Sequence, residues 1–165
     1  LNIDAKEITE LCDSVMFCLS KGLCAPVGSI LAGSKDFIEM ARKKRKIMGG
    51  GMRQAGVLAA AGLIALEKMR LRLKEDHDNA LLLADELGKI PGIHVHRDDI
   101  HINMVFFDMS GIGYSLEKLA AELYEKGIRI NPAENGIMRF VTHYWVSTES
   151  VLYAVNCIRE IIGGS

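Results

Sequence analysis

The run MRQAGVLAAAGLIALEKM, residues 52 to 69, constrains the fold of this chain more than any other stretch. Its middle is apolar on nearly every face, and a helix of that kind needs cover all round. Its many small residues let other backbones approach closely. The most apolar part, residues 55 to 66, is too short for a bilayer, which takes about 20 residues, so the expected cover is packed protein. With 165 residues, 49% of them hydrophobic, the chain can bury a sizeable core as one or two small domains.

The formal net charge of −1 argues against a general nucleic-acid or membrane-surface binder, which would carry a strongly basic chain or face. Small molecules, or copies of the chain itself, are the expected partners. Cys12, Cys18, Cys24 and Cys157 lack the C-x-x-C spacing of zinc or thioredoxin-like sites and read as small core residues in a reducing compartment. No basic-then-apolar signal segment opens the chain, and a cytoplasmic location is expected. The chain begins at Leu1 and reaches its best strand almost at once, which reads as a later part of something longer.

Val15 to Leu19 reads as a fully buried strand, and Val27 to Leu31 as a second one reached through the turn at Ala25-Pro26. Ser34 is positioned to cap a helix over Lys35 to Met48, with Asp36 in its first turn and a basic last turn, ended by Gly49-Gly50-Gly51. A further amphipathic helix, Leu71 to Leu87, carries Leu81, Leu82, Ala84 and Leu87 and stops at Gly88. After Pro91-Gly92 the pattern predicts strands at Ile93 to His96, Ile102 to Asp108, Ile128 to Ile130 and Ile137 to Thr142. Helices follow Ser115 and either Ser147 or Thr148, ending near Lys126 and Ile162. The fold class read from this order is an α/β part over 1–90 followed by a small α+β domain over 91–165, its helices on one face of a mostly antiparallel sheet.

Lys21 directly follows the first apolar strand. At the carboxyl end of a buried strand, desolvation would lower its pKa and free the amine for Schiff-base chemistry, whereas the plain alternative is a snorkelling lysine at a strand end. Basic residues at 35 and 42 to 46 outnumber the acids at 36 and 39. That run is either a solvated helix end or, with Lys46 and Arg53 flanking the glycine loop at a helix start, a phosphate site. Arg139 is an isolated charge in the apolar stretch IMRFVTH (137 to 143). Alternation puts Met138, Phe140 and Thr142 on one face and Ile137, Arg139, Val141 and His143 on the other, where Arg139 meets either water or a substrate carboxylate. His94 and His96 share a strand face, with His101 nearby, but spacing fixes no third ligand, so no metal is assigned. Nothing in the sequence places His143 or Asp108 for acid–base work.

DSVMFCLSKGLCAPVGSILAGS (13 to 34), RKKRKIMGGGMRQAGVLAAAGLIAL (42 to 66), NMVFFD (103 to 108) and IMRFVTH (137 to 143), in this order and spacing, resemble the low-specificity L-threonine aldolases from about residue 13 to the C-terminus. That family has the fold-type I architecture and uses pyridoxal 5'-phosphate. The resemblance implies that Lys21 carries the cofactor as a Schiff base and that Arg139 holds the α-carboxylate of a β-hydroxy-α-amino acid. It also implies that Lys46 and Arg53 lie near the cofactor, one or both serving a neighbouring subunit of a dimer or tetramer. The implied reaction is retro-aldol cleavage of L-threonine or L-allo-threonine to glycine and acetaldehyde. In the family, the histidines around the ring, the phosphate-gripping loop and the aspartate on the pyridine nitrogen lie upstream of the lysine, where this chain has only twenty residues. The chain is therefore expected to be the end of the large domain plus the small C-terminal domain, to expose surface that a missing sheet covers, and to be inactive without the upstream half. Two other readings stay open. One is a different fold-type I enzyme, a β-eliminating lyase or a hydroxymethyl-transferring enzyme; the other is a non-catalytic module that self-associates through the GGG loop and the small-residue helix.

Overall fold

The structure, a computed structural model, describes residues 3–131 and 133–163. Two compact units divide between Leu71 and Arg72. The first opens with α1 (Ala5–Thr9), which the sequence reading omits; Asp4 caps it, and Glu7 reaches back to the Asp4 N–H. β1 (Ser14–Cys18) and β2 (Ser29–Gly33) pair antiparallel, Ser14 opposite Gly33 and Cys18 opposite Ser29. The loop between them closes through the Leu19 N–H on the Gly28 carbonyl (2.9 Å) and the Ala25 N–H on the Leu19 carbonyl (3.0 Å). The sequence predicts full burial of the first strand, yet Met16 and Phe17 are exposed. Among the described residues β1 pairs only with β2, and a two-stranded ribbon has little to bury its faces against.

Ser34 caps α2 (Lys35–Ile47) by accepting from the Phe37 N–H. At its other end Gly50 N–H donates to the Arg45 carbonyl (2.8 Å) and Gly49 N–H to the Lys46 carbonyl (3.2 Å). This closure needs a left-handed residue at 49, where φ is +82°, which is why glycine stands there. α3 (Gly56–Glu67) is shorter than predicted and is not covered all round: Gly62 and Ala65 are buried, whereas Val57, Leu63 and Ile64 are exposed. Only one side of α3 meets the β1–β2 loop, where Leu19, Ala25 and Ala65 form the unit's small core. A Cβ on Gly62 would stand 3.3 Å from the Leu19 Cδ1, so the glycine sets how closely that loop packs.

The second unit begins with α4 (Leu73–Leu87), which buries Asp76, Asn79, Ala80, Leu83, Ala84 and Leu87 at helical spacing and leaves Leu81 exposed. Because this face is part of the second core, the compact unit starts at Arg72, earlier than the division at 90/91 read from the sequence. β3 (His94–Val95), β4 (Met104–Asp108), α5 (Leu116–Glu125), β5 (Met138–Val141) and α6 (Thr148–Gly163) complete it. The sheet order is β3-β4-β5, antiparallel throughout. Val95, Val105, Phe107, Met138 and Phe140 turn toward the helices, and the Phe107 and Phe140 rings stack at 5.7 Å. His94, His96, Phe106, Asp108 and Arg139 alternate onto the opposite face. The strand expected at Ile128 to Ile130 does not form: Ile128 N–H closes α5 on the Leu123 carbonyl (2.8 Å) instead of entering a ladder.

Buried polar groups tie α4 to the segment after β5. The Thr142 hydroxyl donates to the Asp76 carbonyl (2.6 Å), and the Asn79 amide to the Val146 carbonyl (2.9 Å). The Asp76 carboxylate, buried, takes the Arg72 guanidinium at 2.7 Å. All four cysteines are free; only Cys157 is buried, and Cys12 is exposed, so the core reading holds for one of them. Among the described residues no helix is long and apolar enough to cross a membrane.

Candidate functional site

Lys21 stands in the turn after β1, its carbonyl accepting from the Cys24 N–H at 2.8 Å, with Cys24 in a left-handed conformation at φ 58°. The side chain is exposed, so the desolvation expected at a buried strand end is absent in this unit. Its amine makes no hydrogen bond or ion pair among the described residues. What the fold supplies is an accessible lysine on a loop closed by backbone hydrogen bonds.

Lys46, in the last turn of α2, sends its side chain over Gly51. A Cβ at that glycine would stand 2.5 Å from the Lys46 Cδ and 3.1 Å from its Nζ, so a larger residue there would push the lysine tip aside. Arg53 lies in the bend before α3 and not in its first turn as predicted, because the helix starts at Gly56. α3 has no side-chain N-cap. An uncapped helix start with exposed cations before it favours an anion, since the free N–H groups and the side chains carry the same sign of charge.

Arg139 sits on the outer face of β5 as the alternation predicts, with Met138 and Thr142 buried and Val141 and His143 exposed. With Phe106, Asn131, Glu134 and Asn135 it lines a cavity of about 220 Å³. It has no ion pair among the described residues, which leaves its planar fork available for a carboxylate. Lys21, Lys46 and Arg53 belong to the first unit and Arg139 to the second.

A third member for the His94–His96 pair escaped the sequence reading. The β3–β4 register sets His94 opposite Asp108, and His96 Nε2 lies 3.1 Å from Asp108 Oδ2. The other carboxylate oxygen accepts from the Ser110 hydroxyl (2.6 Å) and N–H (3.0 Å). The Ser110 hydroxyl, then its N–H, with His96 and His94 adding to them, hold the Asp108 carboxyl below its usual range against the opposing effect of burial. Pairing Ile93–His96 with Ile102–Asp108 as a hairpin would have brought Asp108 into view.

The beta-eliminating lyase family model matches residues 1–110. The chain belongs to that family. It is 42% identical over 161 residues to low-specificity L-threonine aldolase 1 of Arabidopsis thaliana, covering 97% of this chain and 45% of the relative. With the low specificity L-threonine aldolase of Escherichia coli K12 it shares 46% identity over 150 residues, 90% of this chain and 42% of the other. The chain thus spans under half the length of these relatives. A crystal structure of a PLP-dependent aminotransferase from Streptococcus suis superposes with a TM-score of 0.73 at 15% identity, over 99% of this chain and 46% of that one. The fold is therefore that of the fold-type I enzymes, which work with pyridoxal 5'-phosphate. The residues present fit that group: Lys21 is accessible to its aldehyde, and Lys46 beside Gly51, with Arg53 before an uncapped helix start, supplies cations and N–H groups for its phosphate.

Proposed function

We propose that this beta-eliminating lyase family member is the lysine-bearing part of a pyridoxal-phosphate-dependent aldolase that cleaves L-threonine or L-allo-threonine at the Cα–Cβ bond to glycine and acetaldehyde. The observation that carries this reading is the 42–46% identity to low-specificity L-threonine aldolases over nearly all of the chain. Lys21 is the covalent anchor of the cofactor, its exposed amine held on a loop closed by backbone hydrogen bonds. Lys46 and Arg53 neutralise the phosphate. Arg139 takes the α-carboxylate through its two-pronged fork and so fixes which substrate bond stands ready to break. Pyridoxal phosphate, when bound, supplies the electron sink for the carbanion left by that cleavage. A base takes the β-hydroxyl proton as the bond breaks, so the aldehyde leaves neutral, and a proton returned to Cα completes glycine.

The working enzyme on this reading is a cytoplasmic homo-oligomer that also contains an upstream half. The free cysteines suit a reducing compartment, and the exposed Met16, Phe17, Val57, Leu63 and Ile64 suit a unit that packs against more protein. The matched family's own description favours a second reaction, β-elimination, which would turn threonine into ammonia and an oxo acid. The test supplies the chain with an upstream half taken from a relative, adds pyridoxal phosphate and threonine, and identifies the products. Glycine with acetaldehyde in equal amounts is expected; ammonia with 2-oxobutanoate would replace this reading by the second.

A further inference from the structure

We propose that His94, His96 and Asp108 form a binding site for a divalent transition metal of the Zn²⁺ type, on the sheet face turned away from the helices. One candidate ligand atom from each of the three residues lies within 4.8 Å of the others. His96 Nε2 and Asp108 Oδ2, 3.1 Å apart, already have the separation of two ligands on one tetrahedral Zn²⁺, about 3.3 Å when each bond is about 2.0–2.1 Å. His94 is exposed, its ring edge-on to that of His96 at 5.1 Å between centroids, so a rotation of this side chain is enough to bring its nitrogen onto a shared ion.

The surroundings suit a cation. Ser110 engages one oxygen of Asp108 through both its hydroxyl and its N–H, which orients the carboxylate and directs the other oxygen to the histidine; such outer partners characterise metal ligands. Asp98 and Asp99 line the same cleft of about 370 Å³ as the two histidines. Arg97, the one cation in that lining, donates to Asp85 at 2.7 Å and is drawn off the site. Two imidazoles and one carboxylate, with a position left for water or substrate, match a borderline-soft ion and not Ca²⁺ or Mg²⁺, which prefer all-oxygen shells. On binding, the metal takes the lone pairs of both histidines and displaces any proton shared between His96 and Asp108, with no change of oxidation state.

Isothermal titration of the full chain with ZnCl₂, without pyridoxal phosphate, tests this site separately from the aldolase reading. One Zn²⁺ per chain is expected, undisturbed by excess Mg²⁺. His94→Gln, which alters an exposed side chain and leaves the core intact, should weaken binding by about tenfold or more, as should Asp108→Asn. His101→Gln and Cys12→Ser should leave it unchanged. Co²⁺ should give visible ligand-field bands that His94→Gln abolishes. Absence of Zn²⁺ binding to the wild-type chain, binding that survives both His94→Gln and Asp108→Asn, or binding lost with Cys12→Ser would each overturn the assignment.

Discussion

Replacing Arg72 by methionine strands the Asp76 carboxylate. In the structure Asp76 has 2% of its side chain exposed and Arg72 14%, and the guanidinium spans both carboxylate oxygens at 2.7 and 3.4 Å. The hydrogen bond to Asp76 raises Arg72 above its ordinary pKa, and a guanidinium keeps its charge in proteins in any case. Breaking a buried pair on one side costs about 3–5 kcal/mol, because the remaining charge loses both its partner and its water. Arg72 retains some contact with solvent, which sets the expectation for Arg72→Met at the lower end, about 3 kcal/mol. Adding Asp76→Leu removes the stranded charge, and the double variant should recover most of that loss. Urea unfolding followed by circular dichroism measures both at comparable m-values. A double variant no more stable than the single one would refute the reasoning, as would a single-variant loss below about 1 kcal/mol, the value of an ordinary surface pair.

In the enzyme completed by an upstream half, Arg139→Lys should raise KM for threonine more than it lowers kcat, because one ammonium cannot replace a two-pronged carboxylate contact; equal kinetics in variant and wild type would exclude Arg139 from the substrate. Glu86, beside Lys89 and then Arg159, has its carboxyl pKa lowered. Its contribution to stability is therefore present above about pH 4.3 and lost as pH falls through the folded value. Arg159→Ala should move the Glu86 titration, read by carbon NMR, up toward the ordinary value, and no movement would discount the pair.

The second unit was the more legible half. Ser115 caps α5 by accepting from the Lys118 N–H, and the alternation through Met138, Arg139 and Phe140 places each residue on the face assigned to it. Those signals are local, and the unit contains the partners they require: three helices cover one side of its sheet. The first unit was misread for the same physical reason. VMFCL and GVLAAAGLIAL carry the apolarity of fully buried elements, but among the described residues the surfaces that would cover them are few, and Met16, Val57 and Leu63 stay exposed. Residue patterns report the burial a segment is built for, not what surrounds it. For the candidate site, Lys21 and Arg139 stood out as single cations in apolar surroundings, whereas Lys46 closes a basic run and drew notice only with Arg53 across the glycine loop. The full His94–His96–Asp108 cluster did not stand out, because Asp108 reaches the histidines through strand register and not through spacing. The domain division was set late because Gly88 and Pro91-Gly92 punctuate the chain clearly, whereas the packing of Leu83, Ala84 and Leu87 that assigns α4 to the second unit is tertiary.

The role of Lys21 is tested most directly by borohydride reduction of the chain with pyridoxal phosphate, followed by peptide mapping of the pyridoxyl group, first alone and then with an upstream half supplied. Label concentrated on Lys21 in the completed enzyme, and abolished by Lys21→Ala, is the predicted result. Label scattered over surface lysines with Lys21 unmodified, even in the completed enzyme, would contradict the account.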